Sequence, residues 1–112
     1  MMSLQENKSK SWYKVLDLDG NSIDTRNELW ELPTREGKTE WMHFGGQIGT
    51  WLTSNPKDFC TSDNRVFVAE FKNTPIVERP GIIWVSHVRL VREATNLELK
   101  QFEIYRAFQQ VV

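Results

Sequence analysis

The run that ends at Arg92 constrains this chain most. Along it Ile82, Trp84, Ser86, Val88 and Leu90 alternate with Ile83, Val85, His87, Arg89 and Val91. A period of two puts these sets on opposite faces of a strand. One face is apolar and the other half apolar, the pattern of a strand near the middle of a sheet. A helical pattern follows almost at once. Thr95 and Glu98 have capping-box spacing. Leu99, Phe102, Tyr105 and Phe108 recur at helical spacing, with Ile104 and Val111 widening the stripe. The expectation is α+β: a mainly antiparallel, twisted sheet centred on 82–92, with a C-terminal helix over 94–110 packed on one face.

Earlier segments read as supporting strands. Residues 12–18 form a first strand, and Asp19-Gly20 marks a tight turn because Gly accepts positive φ. Ile23, Leu29, Trp30 and Leu32 suit either an edge strand or an irregular loop. Gly45, Gly46 and Gly49 permit sharp bends and close backbone approach, without the Gly-Lys-Ser/Thr ending of a phosphate loop. A short strand over 48–53, a Pro56-started helical turn and a strand over 66–72 follow. The two prolines of 73–81 suggest a loop. At 112 residues the chain suits a single domain over 11–112, behind a polar tail over 1–10.

Composition excludes some classes. Fourteen basic against fifteen acidic residues leave a net charge of −1, which disfavours sequence-blind nucleic-acid binding. One cysteine rules out an internal disulfide, and no apolar run is long enough for a membrane helix, so a cytoplasmic protein is expected. Cys60, His43 and His87 lack the spacing of a metal site. Neither metal nor cofactor is expected, and Cys60 reads as a small core filler.

Glu70 interrupts an apolar strand and is the foremost catalytic candidate, because burial would raise its pKa unless it finds a partner. Lys72, His87, Arg89 and Arg92 lie on the two clearest strands. If they share a face with Trp84 or another ring, they form a place to hold a phosphate or stack a base. Trp41 and Trp51 join Trp84, His87 and Arg89 as candidate binding residues, since large rings concentrate at interfaces.

The segment 49–71 runs from Gly49 through a strand ending in Thr53, to Asn55-Pro56, then to a strand carrying Val66, Phe67 and Glu70. This order resembles small ADP-ribosyltransferase-like domains and related phage and bacterial domains. The resemblance implies a nucleotide ligand, with NAD held by an early His or Arg and a later catalytic Glu. Here the first strand begins Trp12-Tyr13-Lys14.

Three readings follow. The first is a small accessory protein docking on a protein partner, or on itself, through an aromatic-rich surface. The second is an ADP-ribosyltransferase-like enzyme or nucleotide-binding domain. The third is a nucleic-acid binder. The absence of a recognisable catalytic constellation ranks a binding role above an enzymatic one.

Overall fold

A computed structural model describes residues 10–23, 29–60 and 63–105. Its strands are β1 (Trp12–Asp17), β2 (Met42–His43), β3 (Thr50–Thr53), β4 (Asn64–Lys72), β5 (Val77–Arg79), β6 (Ile82–Val85) and β7 (His87–Glu93). A 3₁₀ turn spans Pro56–Asp58, and one short helix, α1, spans Asn96–Gln101. The strands form one antiparallel sheet in the order β2-β7-β4-β1-β3-β6-β5.

The run 82–92 is not one central strand. It breaks at Ser86 into β6 and β7, which stand four positions apart in the sheet. Four strand spacings in a flat sheet cover about 19 Å, whereas Val85 and His87 are two Cα steps apart, at most about 7.6 Å. The sheet must therefore fold back on itself at this corner.

The break also shifts the phase. Ile83 and Val85 are buried in β6, but Val88 and Leu90 are buried in β7. A one-residue slip swaps every later side chain to the other face. The half-apolar second face of the sequence pattern is thus two amphipathic strands out of step. Gly49 makes the corner passable. Its φ is +66, and a Cβ there would lie 2.1 Å from the Val85 carbonyl oxygen, so only glycine fits.

Two buried clusters hold the sheet. One gathers Trp12, Leu16, Trp30, Leu52, Phe67, Phe71, Ile83, Val85, Val88 and Leu90. The other gathers Tyr13, Val15, Trp51 and Val66 with Ala94, Leu99 and Ile104 from the C-terminal segment. β1 alternates between them and is buried on both sides.

Two expectations are corrected here. The loop 73–81 contains β5, an edge strand paired to β6. Pro75 and Pro80 flank it rather than interrupt it, as prolines at sheet edges do. The C-terminal helix starts as expected, since Thr95 and Glu98 form a reciprocal capping box. It then stops at Gln101. The Ile104 amide donates to the Leu99 carbonyl and the Glu103 amide to the Lys100 carbonyl, with Glu103 at φ 60. These are the two bonds of a Schellman ending. They turn Ile104 inward beside Leu99 and leave Tyr105 exposed. Phe102 still packs edge-on to Tyr13, with ring centroids 5.3 Å apart. The stripe positions Phe108 and Val111, and the tail over 1–9, lie outside the described residues.

Candidate functional site

The polar side chains of interest converge on the outer face of β2, β7 and β4. In β4, Phe67, Ala69 and Phe71 point into the core, which leaves Glu70 and Lys72 on the opposite face. In β7, burying Val88 and Leu90 leaves His87, Arg89 and Val91 outward. Glu70 pairs with Arg89 and Lys72 with His87 in register. β2 adds His43 opposite His87, and the same register carries Trp41 opposite Arg89.

Segment 39–44 is clipped to β7 at both ends. The Thr39 amide donates to the Leu90 carbonyl (2.9 Å), and the Leu90 amide donates to Thr39 Oγ1 (3.0 Å). At the other end the Phe44 amide donates to the Ser86 carbonyl (2.8 Å). Trp41 is held between these clips. The buried threonine in an otherwise polar connector is the local signal for this anchoring.

The face thus carries two rungs. The first is Trp41, Arg89 and Glu70. The guanidinium carbon of Arg89 lies 4.4 Å from the centre of the Trp41 ring, and its Nε donates to Glu70 Oε1 at 2.8 Å. Lys38 reaches the same oxygen at 3.1 Å. The second rung is His43, His87 and Lys72. The imidazoles stack with centroids 4.7 Å apart, and Lys72 Nζ leans 4.9 Å from the Trp41 ring centre. A groove of about 440 Å³ opens beside the first rung, lined by Trp41, Glu70, Lys72, Arg89 and Val91 and reaching Lys10. Its size suits a small ligand.

The electrostatics favour an anion. Partial burial pushes the Glu70 carboxyl upward, but hydrogen bonds and charge from Arg89 and Lys38 outweigh it and hold the group below the usual range. Glu70 therefore stays ionised near neutral pH and orients the two cations. The upward shift expected for an acid–base residue does not occur, because Glu70 found partners. Arg89 spends only Nε on protein, so its two terminal nitrogens meet no protein acceptor among the described residues. Lys72 has no carboxylate partner among them either. For His87, lost hydration and then the nearby His43 and Lys72 lower its pKa, which disfavours the imidazolium.

Other candidates are placed elsewhere. Trp84 sits on β6 opposite Trp51 in register, four sheet positions from β7. Trp51 is 5% exposed and Trp30 3%, so neither offers its ring to a partner. Arg92 is held by both carboxylate oxygens of Glu98 and does not join the face. Cys60 packs with Phe59 at the second core cluster. Among the described residues, no group of three or more His, Cys, Asp or Glu is arranged to hold a metal, and no helix is long and apolar enough to cross a membrane.

Sequence reasoning passed over Lys14. It is fully buried, with Nζ donating to Thr50 Oγ1 (3.2 Å) and the Trp51 carbonyl (3.0 Å). The ammonium lies 3.9 Å from the centre of the Trp51 ring and 5.2 Å from that of Trp30. A lysine in the middle of an apolar strand was the available signal.

No family model matches the chain, and neither the curated proteins nor the solved structures compared with it yield a match.

Proposed function

We propose that the protein is a nucleotide-binding module, and that the outer face of β2, β7 and β4 holds a ligand bearing a phosphate and a base. One observation carries this reading: Arg89 and Lys72, both with unused donors, gather on the half-buried Trp41 ring beside an open groove. Guanidinium donors suit phosphate oxygens, and an indole or a guanidinium plane stacks a base. The likeness to ADP-ribosyltransferase-like domains points to the same ligand chemistry. Lys14 stands on the first strand, where those families use His or Arg on NAD. It is sealed from solvent, so the proposed role is binding and no catalytic step is assigned. The protein-docking reading leaned on the Trp-rich stretch from Trp30 to Trp51; Trp30 and Trp51 are buried, and the half-buried Trp41 lies on the face proposed here for the ligand. A nucleotide ligand also fits the cytoplasmic setting inferred from the lone cysteine.

The test is calorimetric titration with AMP, ADP and NAD at low ionic strength. Saturable binding is expected, weaker for adenosine, which lacks the phosphate. A hydrogen bond to a charged group contributes about 1.5–3 kcal/mol, so Arg89→Ala should weaken binding roughly 10- to 100-fold. No heat and no thermal shift at millimolar nucleotide would overturn the reading.

A further inference from the structure

Resting on the nucleotide reading, we infer that the face takes a single strand of nucleic acid, two successive nucleotides lying on its two rungs. The inference comes from the repetition. Each rung has planar groups, Trp41 and then the His43–His87 stack, and Lys72, in register with His87, reaches its ammonium back to the Trp41 ring beside Arg89. The rungs are two residues apart on every strand, so they are spaced by about 6.6 Å. An extended single strand repeats its base and phosphate over a comparable distance. A mononucleotide would use one rung and leave the second unexplained.

The second rung is a plate of two stacked imidazoles, with His87 held from one side. The Asn73 amide nitrogen lies 3.3 Å from His87 Nδ1, and the Ser86 hydroxyl 2.8 Å from it. Asn73 reaches this position by adopting φ 69 just after β4, a conformation asparagine tolerates better than most residues. His43 from β2, and Lys72 from β4, face the ring and oppose a second proton. Arg89 and its partner Glu70 stand one rung away. The stacked imidazoles offer a plane to a second base, while Lys72, reaching from this rung to the Trp41 ring, meets phosphate.

Charge and edge geometry agree. The face is rich in cations, with Lys38, Lys72 and Arg89 against Glu70, on a chain whose net charge is −1. A polyanion is drawn to this face and repelled from the rest. β2 is the outermost strand, so nothing in the sheet blocks a chain running past it.

The test titrates the full chain with dTMP and with oligothymidylates of two, four and eight nucleotides. Affinity should rise at least tenfold from dTMP to the tetranucleotide. Two phosphate contacts should give a log–log salt slope of about −1.4. The double variant His43→Ala, His87→Ala should lose the gain with length, and its cooperative thermal unfolding reports that it folds. Lys72→Gln should reduce the salt slope by about half. Affinity independent of length overturns this inference and leaves nucleotide binding standing. Silence toward dTMP and every oligomer overturns both. A length gain that survives the double variant overturns the histidine rung as a seat for the second nucleotide.

Discussion

Cations meet indole rings in two places, one sealed and one open, and the two sites behave differently. Lys14 lies against Trp51 in the interior, fully buried, with Thr50 Oγ1 and the Trp51 carbonyl accepting hydrogen bonds from it. Arg89 lies against Trp41 on the outer face, part-exposed, with terminal nitrogens that meet no protein acceptor among the described residues. Removing a charge from water is costly unless its donors are satisfied in place. The sealed site meets that demand and is locked by it. The open site keeps its donors hydrated, so exchanging water for a ligand's phosphate is cheap. The same pair of groups is structural in one setting and available in the other, and burial decides which.

The contrast can be broken most forcefully at the sealed site. Lys14→Ala leaves a cavity and two acceptors without their donor, and should destabilise the fold by on the order of 2–5 kcal/mol. Chemical denaturation checks this, and a loss under about 1 kcal/mol would mean that Lys14 is not locked in. Gly49→Ala strikes the chain that leads into Thr50 and Trp51. A left-handed backbone costs a residue with a Cβ about 1–2 kcal/mol, and the collision with Val85 adds to it. Wild-type stability in this variant would disprove the corner geometry. Arg89→Ala should behave oppositely, shifting stability by no more than about 1 kcal/mol while nucleotide affinity falls.

A smaller effect is expected with pH. Hydrogen bonding to Arg92, with help from the Thr95 amide, brings the Glu98 carboxyl down to about 2. A carboxyl whose folded pKa is depressed adds stability above its unfolded value of 4.5 and loses it as pH falls towards 2. Unfolding curves between pH 5 and pH 2 should therefore lose a component that Glu98→Gln lacks from the start. Equal pH dependence in the two proteins would remove the Arg92–Glu98 pair from the account.

Local signals in the chain were legible and distant ones were not. The capping box at Thr95, the turn at Asp19-Gly20 and the Pro56 turn depend on near neighbours, and all three form. The outward Glu70 and inward Phe67, Ala69 and Phe71 follow from period two. The break at Ser86 was hidden because two amphipathic strands in opposite phase look like one strand with a mixed face. The helix end was hidden because Leu99 and Ile104 close it through backbone bonds at a non-glycine residue, Glu103. Glu70, His87, Arg89 and Trp41 were each visible as candidates. Their assembly was not, since it requires β2 to pair with β7 far along the chain. Trp51 and Trp84 carried no mark that distinguishes an interior ring from an exposed one.

The central claim is that the open indole, and not the sealed one, meets the ligand. The five tryptophans allow it to be read directly from the indole N–H signals in a nitrogen-15 NMR titration with oligothymidylate. The account predicts that the Trp41 signal moves with ligand, joined by His87, while Trp30 and Trp51 hold still. Movement confined to Trp30, Trp51 or Trp84, with Trp41 unchanged at saturation, would contradict it.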